Sequence, residues 1–448
     1  MKTLAEIAAE LQGYDPQAMT ASGVLDFLSR LVTPVQDMLE VPLMQALGRV
    51  LAQDVVSPFD VPPHDNSAMD GYAFAGAQLT QQAALELQVV GTALAGKAWQ
   101  SSVQPGQCVK IMTGAVMPAG LDTVVPQEFI ASQKLGETET ITIQPALLQT
   151  GDNRRLRGED LMQGRAALLK GALVTPARLG LAASLGLKTL KIWRPLRVAY
   201  FSTGDEILSL GDMPREGAVY DSNRYTVFGM LSRLGCEVID MGVVRDDPAL
   251  LEAAFTQAAQ QADAIITSGG VSVGEADYTR AMMKKLGDVD FWRIAMRPGR
   301  PMAVGRISSI KSALRAYPGS ANSYSNDSNV NHALLFGLPG NPVAVMVTFL
   351  AFVRPALLQM MGAKPEPDVL LKAHSLEGIR KKSGRTEYQR GRVSMAADGR
   401  LCVAITGNQG SGVLSSMSEA NGLIVLHHAQ GNVAAGDEVD VLMFDGAI

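Results

Sequence analysis

A chain of 448 residues, 47% hydrophobic and 19% charged, exceeds what one core organises, so about three or four domains are expected. Its net charge of −5 argues against a nucleic-acid surface, which needs a clustered basic face. No apolar run approaches the ~18 residues of a membrane span, and the N-terminus lacks a signal-peptide apolar core. The cysteines (Cys108, Cys236, Cys402) are far apart and odd in number, so no disulfide framework is implied and a reduced, cytoplasmic protein is expected.

Residues 1–50 carry helical patterns, with Leu25, Leu28, Leu31 and Val32 on one face. From 51 to 150 the texture is short β-type runs separated by turns, which predicts a β-rich domain. Residues 151–195 return to helix, with Pro176 at a first turn, and are expected to join 1–50 in a mixed linker domain. Residues 196–362 alternate strand and helix, which predicts an α/β domain with a doubly wound parallel sheet and ligands beyond its strand C-termini. Residues 363–448 read as a C-terminal β domain.

Chemistry gathers at the loops of that α/β unit. The run Ala264–Ile266 reads as a buried strand emptying into Ser268, Gly269, Gly270, Ser272 and Gly274, followed by Glu275 and Asp277. Strand, glycine-rich loop and helix start let backbone N–H groups close on a phosphate, although many such loops are plain turns. Glu206 follows the first strand, Asp246 and Asp247 follow the second, and Pro339 and Pro342 bracket the turn after the last. One acid of the 246–247 pair is expected to cap its helix. Arg293, Arg297 and Arg300 lie on the same predicted edge. Acids from several strand ends and guanidiniums from another favour a ligand site over a solvated face. His427 and His428 lack cysteine partners for zinc, and Gly-x-Ser-x-Gly lacks a histidine partner.

Six ordered motifs carry a resemblance: Asp65–Ala73, Ile111–Ala115, Arg157–Asp160, Ser202–Glu206, Thr267–Tyr278 and Leu338–Pro342. From about Thr33 to the C-terminus the chain resembles the molybdopterin molybdenumtransferase family, MoeA in bacteria and the E domain of gephyrin in animals. The resemblance implies an enzyme that takes adenylylated molybdopterin and molybdate, cleaves the phosphoanhydride with Mg²⁺, inserts molybdenum and releases AMP. It also implies a four-part fold and a homodimer whose active site is shared between subunits. Apo-molybdoenzymes and molybdopterin adenylyltransferase are the implied handover partners, with no nucleic acid or membrane.

By resemblance, Asp246, Asp277 and Glu206 serve the metal and phosphates, and the backbone of Ser268–Gly274 holds a phosphate or pterin. Asp70 and Thr113 complete the site from the other subunit, with Arg155 and Asp160 in the same cluster. From its own residues Met69–Tyr72 reads as a hairpin turn, and only the resemblance makes Asp70 catalytic. Relatives typically carry Lys-Pro-Gly-Lys-Pro where this chain has Arg297–Pro301, so these positions are expected to bind oxyanions and transfer no proton. Arg154 stands where relatives have an apolar residue, and residues 308–331 form a Ser/Asn-rich insert expected as a surface loop. The alternatives are the adenylyltransferase, which would lack the domain carrying Asp70, and a gephyrin-like scaffold.

Overall fold

Hydrophobic periodicity builds two units, Met1–Gln53 with Gly171–Pro176 and Thr189–Ile448, and Asp54–Lys170 with Ala177–Lys188. The computed structural model describes residues 2–271, 278–310 and 330–444, with Ser309, Ile310, Val330 and Asn331 as backbone only.

The first unit is organised by a six-stranded sheet in the order Glu237–Val244, Arg197–Thr203, Ala264–Ser268, Val330–Leu338, Pro301–Ile310, Gly287–Arg293. Its central strands are buried on both faces, which explains their continuous apolar runs. Val198, Tyr200 and Ile266 face one core, while Ala199, Phe201 and Ile265 face another. Asp221 caps the helix Ser222–Arg233, and Asp247 caps Pro248–Gln261 by accepting from Ala249 and Leu250, with Pro248 in the first turn.

The expected parallel sheet is parallel over its first four strands only. Pro301–Ile310 runs antiparallel to both its neighbours, and its pairing with Gly287–Arg293 follows from the connection, since the seven residues 294–300 are too few for a crossover, which needs about a dozen. The expected loop at 308–331 is also narrower. Ser308 pairs with His332, Ser309 with Asn331 and Ile310 with Val330, so the ladder reaches into it; residues 311–329 lie outside the described ones.

The helical segment Pro342–Met360 is 19 residues long and apolar enough to span a membrane by length and composition. Most of it is buried in the core, with Val345, Phe349, Phe352 and Leu357 fully enclosed, so it reads as a core helix. A π turn over Phe349–Val353 precedes Arg354-Pro355, which accommodates a proline that cannot donate an i→i−4 bond. Residues 151–195 hold less helix than expected: Pro176–Ser184 is helical, but Thr189–Trp193 is a strand paired antiparallel with Met38–Pro42. In the C-terminal part Thr386–Met395 pairs with both Leu401–Ile405 and Gly422–Leu426, closing a small barrel with Leu370–Ser375 and Glu438–Met443.

The second unit holds a six-stranded sheet in the order Thr123–Pro126, Gly71–Phe74, Gln107–Ile111, Leu85–Ala93, Thr138–Ile143, Ala131–Leu135. Gly71 sits between two neighbouring strands, where a Cβ would run into the Val125 carbonyl. The Met69–Tyr72 segment is therefore no hairpin turn, since Asn66–Ser67 pairs with Arg154–Arg155 and Gly71–Phe74 enters a different sheet.

Candidate functional site

The C-terminal ends of the parallel strands come together at Thr203, Val244, Ser268 and Leu338. Three buried hydroxyls lock two of these ends: Tyr200 Oη lies 2.9 Å from Ser202 Oγ and 2.7 Å from Ser268 Oγ. Gly269 and Gly270 then turn the chain at φ of 93° and 65°. A Cβ on Gly269 would strike the Thr203 carbonyl and one on Gly270 the Thr279 side chain, so both positions need glycine twice over. Ser272, Gly274, Glu275 and Asp277 lie outside the described residues.

The Asp246 N–H donates to Asp205 Oδ1 at 3.4 Å, tying the loops after two adjacent strands, and the Glu206 carboxylate folds back over Gly204. Among the described residues no three His, Cys, Asp or Glu side chains cluster as a metal cage.

Beside this edge lies a cavity of about 500 Å³, walled by Arg297, Gly299, Arg300, Pro339 and Asn341 and, from the barrel, by Arg385, Gln409 and Ser411. Strand pairing of Met296–Arg297 with Thr386–Glu387 brings the walls together. Asn341 Nδ2 donates to Ser411 Oγ at 3.1 Å, and the Val343 N–H to the Ser411 carbonyl at 3.1 Å. Pro342 opens the core helix in its first turn, with Asn341 at the N-cap position.

Arg385 is paired with buried Glu387 at 2.7 Å. Behind the wall the buried Arg390 guanidinium donates to the carbonyls of Asn408, Gln409 and Gly410 and to Ser416 Oγ. Burial, then the charge of Arg297, pushes the Arg390 guanidinium down to about 10. Arg297 and Arg390 thus stand close enough to repel each other beside this cleft, with Arg300 on its wall and Arg385 neutralised by Glu387. Arg385, Gln409 and Ser411 escaped the sequence reading; the sole local signal is the Gly410-Ser411-Gly412 turn. Arg293 does not line this cavity; it lines a neighbouring one, which Arg300 also borders.

In the second unit, Asp70 Oδ1 accepts from the Thr113 N–H at 2.6 Å and from Thr113 Oγ1 at 2.7 Å. The backbone bond first, then the hydroxyl, holds this carboxyl below its ordinary range. Arg155 faces Asn66 across a two-residue ladder and is exposed. Asp160 sits by Val61, to whose carbonyl its N–H donates at 3.0 Å. Arg154 pairs with Asp65 at 3.4 Å, which gives the unexpected cation a partner.

A parallel sheet edge with a glycine turn, acidic loops and a guanidinium cleft defines a protein built to hold phosphorylated or otherwise anionic small molecules. The MoeA N-terminal region (domain I and II) matches residues 19–186, the probable molybdopterin binding domain 199–359 and the MoeA C-terminal region (domain IV) 372–444. The chain belongs to the molybdopterin molybdenumtransferase family of enzymes, as its motifs implied. It is 40% identical over 404 residues to molybdopterin molybdenumtransferase of Haemophilus influenzae, covering 90% of this chain and 93% of that one. It is 34% identical over 414 residues to molybdopterin molybdenumtransferase 2 of Mycobacterium tuberculosis, covering 90% and 94%. The solved molybdopterin biosynthesis moeA protein of Pyrococcus horikoshii superposes with a TM-score of 0.75 at 26% identity, covering 95% of this chain and all of that one.

Proposed function

We propose that this enzyme inserts molybdenum from molybdate into adenylylated molybdopterin, with Mg²⁺-dependent cleavage of the phosphoanhydride and release of AMP. The observation that carries the reading is the cleft in which Arg297, Arg300 and Arg385 face one cavity of about 500 Å³ beside the glycine turn. Molybdate is a tetrahedral dianion, and guanidinium forks offer fixed donors that stay protonated. Pro339 lines the same cavity, and Pro342 opens the helix just behind it, so the turn between them is stiff.

Mg²⁺ is held by one or two carboxylates with phosphate and water completing its shell, so a protein cage is not required. The bond from the Asp246 N–H to Asp205 Oδ1 ties the two acidic loops together at the strand ends, so carboxylates of the type this ion takes stand on neighbouring loops and their chemistry fits it. Asp246, Glu206 and Asp277 are the side chains we assign to it, and when bound it would neutralise charge on the bridging phosphates. The Gly269 N–H is spent on the Leu338 carbonyl at 3.1 Å and Ser268 lies within the paired strand, so in the described part of the turn it is the Gly270 amide that would orient a phosphate or pterin; the part of this assignment on Ser272 and Gly274 rests on resemblance alone. Thr113 keeps Asp70 ionised, ready to accept a proton or oppose a developing positive charge.

Asp70 and Thr113, with Arg155 and Asp160 assigned to the same cluster by resemblance, would act on the site of a partner subunit in a homodimer. The four-part division at about residues 50, 150, 195 and 362, cytoplasmic residence, and handover from an adenylyltransferase to apo-molybdoenzymes belong to the same reading.

Purified protein with adenylylated molybdopterin, Mg²⁺ and molybdate should release AMP and yield a cofactor that activates an apo-molybdoenzyme. No AMP release at saturating metal and molybdate overturns the reading, and net formation of the anhydride would indicate an adenylyltransferase. Mixing Asp70→Ala with Asp277→Ala chains should restore activity if the sites are shared; two inactive parents giving an inactive mixture would refute sharing.

A further inference from the structure

A second cavity, of about 260 Å³, adjoins the cleft and is lined by Gln17, Arg280, Phe291, Arg293, Arg300 and Pro301. Arg300 and Pro301 border both cavities, so one guanidinium stands between two chambers. The second chamber brings in Arg280, from the helix Tyr278–Leu286 that follows the glycine-turn segment.

Strand alternation explains its charge. Along Gly287–Arg293 the acids Asp288 and Asp290 point to the face opposite Phe291 and Arg293. There they are engaged elsewhere: Asp288 accepts from the Leu4 N–H at 3.0 Å and Asp290 from Tyr14 Oη at 2.8 Å. Arg280 lies over the Phe291 ring, 4.3 Å from its centroid, which fixes the stem and plane of the guanidinium. Lys284 approaches the same ring at 5.8 Å. Three guanidiniums thus share a small cavity from which the strand's own carboxylates are turned away.

We infer that this chamber is a second, separate oxyanion subsite that takes a phosphate or pyrophosphate group, while the larger cleft takes the tetrahedral metal oxyanion. As a step of the reaction this rests on the transferase reading; as a binding site it does not. Val271, at the end of the glycine turn, also lines the chamber, which places the arginines where a phosphate leaving the turn would meet them. Arg300 couples the two anions by serving both.

The test is calorimetry on the full-length protein with inorganic pyrophosphate and with molybdate as separate probes. Arg280→Gln should weaken pyrophosphate on the order of tenfold, the worth of one charge-assisted contact, and leave molybdate affinity within about twofold. Arg297→Gln should do the reverse, and Arg300→Gln should weaken both. Arg280→Lys, keeping the charge, should recover part of the loss and control for misfolding, as should an unchanged melting temperature. The inference falls if Arg280→Gln leaves pyrophosphate binding unchanged, or if the two anions displace each other one for one on the wild-type chain. Two independent anion sites in a protein that releases no AMP would keep the subsite and remove the transferase reading. Turnover with a pyrophosphate affinity indifferent to Arg280 would do the opposite.

Discussion

The arginine cleft and the Asp70 site solve opposite electrostatic problems. In the cleft, Arg297, Arg300 and Arg385 stand beside buried Arg390, with Glu387 paired to Arg385. Like charges are held together by a covalent frame and by carbonyls, and an incoming anion relieves the repulsion. At Asp70 a lone carboxylate is half-buried and held by both polar groups of one threonine. One region stores unfavourable charge until a ligand arrives; the other has its charge stabilised in advance. Ligand binding should therefore stabilise the first region strongly, whereas loss of Asp70 should cost turnover and little folding stability.

Asp70→Asn tests the second half of that contrast most severely. AMP release is expected to fall on the order of a hundredfold or more with an almost unchanged melting temperature. A large drop in melting temperature would make Asp70 a structural cap. Arg390→Met tests the first half: three carbonyls and a hydroxyl lose their shared donor, for about 3 kcal/mol in urea unfolding. Molybdate affinity should fall with it, since Gln409 and Ser411 lose their support.

Arg297→Lys keeps the charge but not the fork, and at least about a tenth of the wild-type turnover should survive. Complete loss would mean that bidentate geometry is indispensable at this position. Thr113→Val is the subtlest variant, since it removes the hydroxyl bond and keeps the stronger backbone one. The folded Asp70 pKa lies below its unfolded value, so the benefit of the ionised form is full above the unfolded pKa and vanishes as pH falls through the folded one. Removing a lowering cause should shift the acid limb of the pH–rate profile upward; an unmoved limb would show that another group sets it.

Much of this was legible along the chain because it is local. The strand Glu237–Val244, the Asp247 cap and the Pro176 and Pro342 helix starts follow from short-range pattern, cap and φ preferences. The glycine turn was legible too, although the need for Gly269 lies in the Thr203 carbonyl of a neighbouring strand. Arg385, Gln409 and Ser411 were not, because what brings them to Arg297 is a strand pairing between segments about ninety residues apart. The antiparallel edge was missed because a seven-residue connection was read through the alternation rather than against the length a crossover needs. Asp70 shows the converse, for its local sequence spells a turn and its actual partner, Thr113, is supplied by another strand's end.

The antiparallel ladder that runs past Gly305 and Leu335 to Ile310 and Val330 has a consequence for how this chain changes over time. Ile310 faces Val330 across it, so the two described residues that flank 311–329 are held together by the ladder itself. The strand Pro301–Ile310 begins next to Arg300 and is paired on both sides, with Gly287–Arg293 and with Val330–Leu338, so contacts outside residues 311–329 keep the arginine loop in register. Lineages can therefore change residues 311–329 without a matching change in the described walls of the anion chambers.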